Sequence, residues 1–546
     1  MLNSLFGKRT LKSQLFLIRP DFVAKNLEGF LSEFKKNFHL SKVGLLLRLA
    51  IVTTFTFLYS FVNAQSPPDT CWTRCFGGSN LDGAYSLQQT TDSGYIVAGA
   101  TNSIGNGGSD YWIAKIDKSG NLEWDHSFGG SLDEYALSID QTIDSGYVVA
   151  GYSYSDTLYQ NHGEADYWIV KLNSSGSPEW QKYFGGSAND QAYSIQQTID
   201  TGYIVAGWTA SNDGNVSGKH DSTDYWIVKL DPLGNLEWQK CLGGSDDDQA
   251  ASIQQTADGG YVVAGWTSSN DFDVSGNHGG DDYWVVKLDA GGNKTWQACL
   301  GNTAEDQATS IAQTTDGGFI VAGYSFSYSN GDADYWIVKL DESGTMVWQN
   351  NFGGVDQEVA NSVEQTFDSG FIVCGKAESD TGNQGKHDFW ILKLDTGGNL
   401  EWEKSLGGDK DDIAFQIQQT IDSGYVVGGW SVSTNGAVWG NHGIRDYWIV
   451  KLKCGFTSGI DAPSEKSVSI YPNPVENYIV IDLATVTGDE TINVYDVQGR
   501  RIILDAIVMN DNASLNTANL PRGLYVLQLT NNKTGKREIG KFVKMK

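Results

Sequence analysis

The sequence predicts an all-β chain: a seven-bladed β-propeller followed by a small C-terminal β-sandwich. Three observations carry this expectation. One unit recurs seven times, each copy reads as four short strands, and the composition changes abruptly after Cys454.

The recurrence is clearest at Asp-Tyr/Phe-Trp, which places Trp112, Trp168, Trp226, Trp284, Trp336, Trp390 and Trp448 at spacings of 52 to 58 residues. Within the copy from Trp180 to Trp238, four segments stand out. They are Glu-Trp-Gln-Lys-Tyr-Phe-Gly-Gly, Asp190-x-Ala-x-Ser-Ile-Gln-Gln-Thr, Gly-Tyr203-Ile-Val-Ala-Gly-Trp and Asp-Tyr-Trp226-Ile-Val-Lys-Leu-Asp. Each is short, rich in β-branched or aromatic residues and bounded by turn formers. With Gly 64 and Trp 18 against Pro 9, the composition fits tight turns and aromatic-filled sheets rather than disorder.

Two connections are tight. In Thr-x-Asp-Ser/Gly-Gly, we expect Gly94, Gly146, Gly202, Gly260, Gly318, Gly370 and Gly424 to supply the positive φ, with the Asp two residues earlier bonding turn amides. The other is the hairpin Leu-Asp-x-x-Gly-Asn-Leu-Glu-Trp. The remaining links are longer and variable, so differences between copies collect there. A lone four-stranded unit cannot bury both faces, whereas radial stacking does so and leaves few open edges.

The hairpin Asp117-x-x-Gly120-x-x-x-Trp124 resembles the docking motif of quinoprotein-type propellers, one residue shorter. That resemblance implies that Asp-x-Ala-x-Ser-Ile-Gln-Gln-Thr is the innermost strand and the Trp strand the outermost. In that phase the isolated segment Trp72-Thr-Arg-Cys-Phe-Gly-Gly completes the last blade, whose Asp446-Tyr-Trp-Ile-Val-Lys-Leu strand lacks a Trp partner. Cys75, Cys241 and Cys299 occupy one repeat position and Cys374 replaces Ala or Gly, so these four read as small buried residues. Cys71 and Cys454 alone fall outside the repeats, flank the closing turn, and are expected to form a disulfide.

Ahead of the repeats, residues 1–64 carry nine Lys/Arg against three Asp/Glu, while the whole chain has net charge −28. The rest is therefore strongly acidic, which disfavours nucleic acid and anionic membranes as partners. The apolar run from Leu45 to Val62 follows Lys42 and ends in Val-Asn-Ala64, the layout of a secretory signal cleaved between Ala64 and Gln65. No permanent membrane span is expected in the mature protein, and a monomer is expected.

After the propeller (71–454) comes a linker (455–466), then a distinct segment, 467–546, with alternating strand patterns. Tyr471-Pro472-Asn473-Pro474, Tyr495-Asp-Val-Gln-Gly499-Arg and Gly523-Leu-Tyr525-Val together resemble the type A C-terminal sorting domain of the type IX secretion system. The resemblance implies partnership with that machinery, passage through the outer membrane, removal of the tail, and release or attachment at the cell surface.

Candidate sites divide into repeated and variable ones. Asp82, Glu134, Asp190, Asp248, Asp306, Glu358 and Asp412 precede the inner strand in every copy. They would ring one mouth of the channel and could hold Ca²⁺, or each would cap its own turn, the role favoured for a feature needed once per blade; no other cofactor is expected. His162, His220, His278, His387 and His442 recur in the long loops and read as loop-fixing hydrogen-bond partners rather than zinc ligands, being a blade apart. Tyr152, Trp208, Trp266, Tyr324 and Trp430 open the same loops. Packing between blades competes there with a glycan-binding surface, in which sugar faces stack on rings. No Gly-x-Ser-x-Gly, His-Glu-x-x-His, Walker loop or zinc-spaced Cys pair occurs. The expectation is an exported, non-catalytic scaffold for a glycan or protein polymer, its rival a secreted polysaccharide hydrolase or lyase.

Overall fold

A computed structural model describes residues 66–155, 162–329, 331–378 and 385–453, together with strand-forming segments between Ile470 and Lys544. The signal segment, Ala64, Gln65 and the linker lie outside the described residues. The chain divides into two compact units, Met1–Lys453 and Cys454–Lys546. Among the described residues there is no helix, and so none long and apolar enough to cross a membrane.

The first unit is the expected seven-bladed propeller. In the third blade the antiparallel order from the centre outward is Asp190–Gln197, Tyr203–Thr209, Asp224–Leu230 and Leu236–Leu242. The two middle strands are almost wholly buried, because both of their faces pack against neighbouring blades. Tyr167 and Ile169 of the second blade thus share one core with Trp226, Val228 and Leu230 of the third. A strand buried on both faces cannot show polar alternation, which explains the continuous apolar runs.

Closure follows the predicted phase. Thr70–Phe76 pairs antiparallel with Asp446–Leu452, setting Trp72 against Lys451 and Cys75 against Trp448. Side chains then stitch blade to blade. The Tyr167 hydroxyl donates to the Trp226 carbonyl at 2.9 Å, and six of seven seams repeat this bond; Phe389 occupies the seventh. The second Gln of Gln-Gln-Thr reaches back to the preceding turn, as where Ile199 N donates to Gln255 Oε1 at 2.8 Å. The same bond from Ile421 N to Gln89 Oε1, 2.9 Å, joins the last blade to the first.

The tight turn corrects one expectation. Positive φ falls on the residue before the predicted glycine: Ser93, Ser145, Thr201, Gly259, Gly317, Ser369 and Ser423. Glycine is needed at the next position for a different reason. A Cβ on Gly202 would lie 2.3 Å from the Leu230 carbonyl and 2.6 Å from Lys229 Nζ. The turn Asp does accept from the turn amide, Gly202 N to Asp200 Oδ1 at 3.1 Å. It also pairs at 2.9 Å with Lys229, a buried lysine that bonds Glu237 and the Leu230 carbonyl as well.

The second unit contains two four-stranded sheets. One runs Ile470–Tyr471, Tyr478–Asp482, Asn512–Asn516, Ala506–Met509, and the other Arg501–Ile502, Glu490–Asp496, Gly523–Asn531, Arg537–Lys544. Ile479, Ile481, Val494, Leu515, Tyr525 and Leu527 form their shared apolar cluster.

Candidate functional site: the propeller channel and its mouth

The innermost strand of every blade carries a β-bulge at the same place. In the third blade Ala192 pairs with Gly207 and Ser194 with Ala206, so Tyr193 is left out of register. The equivalent bulged residues are Tyr85, Leu137, Ala251, Thr309, Asn361 and Phe415. A bulge re-aims a side chain that strict alternation would place elsewhere. All seven bulged residues line one cavity of about 610 Å³, the propeller channel. This is the variable residue of Asp-x-Ala-x-Ser, and it makes the channel unequal. Tyr85, Leu137, Tyr193 and Phe415 form an aromatic and apolar wall, with Tyr85 and Phe415 edge to face at 5.2 Å. Opposite stand Ala251, Thr309 and Asn361, the last two tied to the next blade through the Ala360 and Ala414 carbonyls.

The five aromatics expected at the long loops are each half-buried on the second strand and paired with the start of the inner one. Tyr152 lines the cavity and packs on Tyr135 at 5.3 Å. Trp208 neighbours Tyr193, and Trp266 faces Gln249. The Tyr324 hydroxyl donates to Gln307 Oε1 at 2.5 Å, and Arg445 lies over the Trp430 ring at 5.0 Å. The other two blades place Ala100 and Lys376 at this position.

Three residues below the bulge, the inner strands carry a second non-uniform set, Gln88, Asp140, Gln196, Gln254, Ala312, Glu364 and Gln418, of which Gln88, Glu364 and Gln418 line the cavity. Apart from Ala312, each accepts a backbone N–H from the next blade. Burial raises the Asp140 carboxyl above its ordinary value and pushes Glu364 up to about 7.

The seven repeated acids are not brought together at a mouth. Asp82, Glu134, Asp190, Asp248, Asp306, Glu358 and Asp412 are each fully buried at a separate blade seam, and none lines the channel. Asp190 Oδ2 accepts from Gly186 N at 2.8 Å and the Ser211 hydroxyl at 2.8 Å, while Oδ1 accepts from Thr209. Burial is the main reason the Glu134, Asp190 and Asp412 carboxyls are raised and Asp248 reaches about 7. Among the described residues, no group of three or more His, Cys, Asp or Glu is arranged to hold a metal ion.

Four of the repeated histidines fix their loops: Nδ1 of His162, His220, His278 and His442 lies 2.7 to 2.9 Å from the Asp four residues later. His387 instead meets Asp411 at 2.8 Å. Cys75, Cys241, Cys299 and Cys374 are free thiols, and burial pushes the first three up to about 12. Cys454 lies outside the described residues. So do Pro472, Asn473, Pro474 and Gly499 of the sorting motifs, whereas Tyr471 and Gly523 begin or end strands and Tyr525 is a core residue.

Sequence reasoning did not find the bulge ring, the glutamine stitches or the buried lysine pairs. Their signals were present: one variable residue inside an otherwise constant strand, the doubled Gln before Thr, and a Lys in every otherwise apolar third strand.

Comparison with known proteins locates the tail. Residues 469–545 match the secretion system C-terminal sorting domain family. The tail is thus a type IX sorting domain, which makes this a propeller that is secreted or attached at the cell surface. A regulatory protein, FlaEY of Caulobacter vibrioides, is 28% identical over 141 residues, 24% of this chain and 14% of that protein. Among solved structures, PorZ of Porphyromonas gingivalis, described as an essential bacterial surface component of the type-IX secretion system, aligns at TM-score 0.38 and 11% identity. That alignment covers 86% of this chain and 60% of PorZ. The Neurospora crassa Pan2 WD40 domain aligns at TM-score 0.43 and 11% identity, covering 71% of this chain and 97% of that one.

Proposed function

We propose that this exported propeller is a non-catalytic binding module that holds a glycan chain at the channel mouth on its long-loop face. One observation carries the reading: seven bulged side chains, differing from blade to blade, line a cavity of about 610 Å³, and in five blades an aromatic residue pairs with the start of the cavity-lining strand. Ligand sites are concave, mostly apolar and furnished with a few placed polar groups. Aromatic side chains suit sugars because their C–H faces stack on rings while hydroxyls take nearby polar partners.

The two sheets of the tail form a small sandwich that serves export, and the signal segment is removed between Ala64 and Gln65. A Cys71–Cys454 disulfide clasps the ring. Thr70 pairs with Leu452, Lys453 N donates to the Asp69 carbonyl at 2.9 Å, and Cys71 is the one described cysteine that is not a free thiol.

A glycan array run beside a reducing-sugar assay on the same glycans tests the reading. Binding without release is expected. Release of reducing ends would establish the hydrolase or lyase instead, and binding only to protein ligands would remove the glycan.

A further inference from the structure

We infer that the channel floor holds a protonated amine carried by the terminal unit of an amino-sugar chain, with Glu364, left without a second donor because residue 312 is alanine, as its counter-ion. This deepens the glycan-binding reading above and rests on it.

The inner ring shows what is missing. Asp140 uses both carboxylate oxygens: Oδ2 accepts Gln197 N at 2.8 Å, and Oδ1 accepts the Gln88 amide at 2.8 Å from the preceding blade. Glu364 likewise accepts Gln419 N through Oε2 at 2.8 Å. The residue that would supply its second donor is Ala312, whose side chain has none. Among the described residues lining the cavity there is no Lys or Arg, so this carboxylate faces the channel without a countercharge. A half-buried carboxylate in that position gains from a donor or cation that reaches it. The shift of its carboxyl to about 7 agrees with this lack.

The rest of the channel decides what carries the amine. Tyr85, Tyr193 and Phe415 stand three residues above the floor, about 10 Å along a strand. Their rings can take the faces of the sugars that follow while the terminal unit's amine meets Glu364 at the floor. A peptide has less to hold. The inner-strand amides that would pair with an extended chain are already occupied, as Ile195 N is by Ser138 Oγ at 3.1 Å and Gln197 N by Asp140.

The test uses calorimetry at pH 7 on the purified exported protein and on Glu364→Gln and Ala312→Gln. Both substitutions install the residue that four other blades carry, so folding is retained, and the second also supplies Glu364 with the donor that Gln88 gives Asp140. The probes are a β-1,4-linked glucosamine tetramer, its fully N-acetylated counterpart and tetralysine. The glucosamine tetramer is expected to bind the parent protein and to lose at least tenfold in affinity in each variant, with no such loss for the acetylated probe. No binding of the glucosamine tetramer, or binding unchanged by both variants, overturns the inference, and a preference for tetralysine overturns the sugar. Equal binding of both tetramers, lost only on removing Trp208 and Trp266, overturns it while leaving the proposed function intact.

Discussion

Asp224 Oδ1 and Asp248 Oδ2 converge on one spot beside Gly243, where an added Cβ would lie 2.6 and 2.5 Å from them. The two carboxyls belong to adjacent blades and are fully buried, and Asp224 Oδ1 has no hydrogen-bond partner. The same apposition occurs for Asp166 with Asp190 across Gly185 and for Asp446 with Asp82 across Gly77. Burial, supplemented by the charge of Asp224, pushes Asp248 up to about 7. His220 and Lys219 offset part of the charge at Asp224, whose carboxyl is nevertheless raised by burial.

A raised carboxyl means that the folded state binds a proton the unfolded chain releases. Its contribution is fully present below the unfolded value of 3.8 and is lost as pH rises through about 7. The paired turn carboxyls work oppositely, but Asp258, held down to about 2, loses its contribution only at much lower pH. Thermal unfolding should therefore give a higher midpoint at pH 5 than at pH 8. An equal or higher midpoint at pH 8 would contradict the seam electrostatics.

Asp224→Asn tests the same seam by a single change. The amide keeps an oxygen for His220 and turns an N–H toward Asp248, replacing a like-charge contact with a hydrogen bond. The variant should be more stable at pH 8 by about 1 kcal/mol, the ordinary net worth of such a bond. Denaturant unfolding that shows a loss would refute this.

The Tyr-to-carbonyl stitch gives a reciprocal pair. Tyr225→Phe removes a buried 2.9 Å bond to the Trp284 carbonyl and should cost about 1 kcal/mol. Phe389 packs on Trp448 at 4.4 Å, as its tyrosine counterparts pack on their tryptophans. Phe389→Tyr should supply the missing bond and raise stability by a similar amount. Comparing the two midpoints checks both signs together.

The thiols provide a chemical check. With their values near 12, Cys75, Cys241 and Cys299 should resist alkylation at pH 8 in the folded protein and react after denaturation. Peptide mapping without reductant should recover Cys71 joined to Cys454. Closing so long a loop contributes up to about 4–5 kcal/mol in the chain-entropy description, so reduction should lower the unfolding midpoint. Two free thiols at these positions would dispose of the clasp.

Repetition made the architecture legible. Trp72 without a blade and Trp448 without a partner strand were enough to place the closing strand, because an incomplete sheet at each end has one way to pair. The bulge at Tyr193 was hidden because a one-residue slip leaves composition unchanged while turning a side chain to a new face. The role of Gly202 was misplaced by one residue, since both a positive φ and a close backbone approach select small residues. Spacing put Asp190 at the start of the inner strand correctly, yet could not say that the strand's first residue turns into a seam rather than the channel. The Gln255 stitch crosses 56 residues of chain, a distance at which no local pattern reports contact.

The central claim is that the channel mouth binds glycan, and Trp208 with Trp266 is the place to test it. The most direct measurement is the affinity of the best array glycan for the parent protein and for the Trp208→Ala, Trp266→Ala double variant. Both rings are half-buried beside the start of the inner strand, and stacked aromatic contacts are worth about 0.5–1.5 kcal/mol each, so affinity should fall about tenfold with the fold retained. Unchanged affinity in a folded double variant would contradict a binding site on this face.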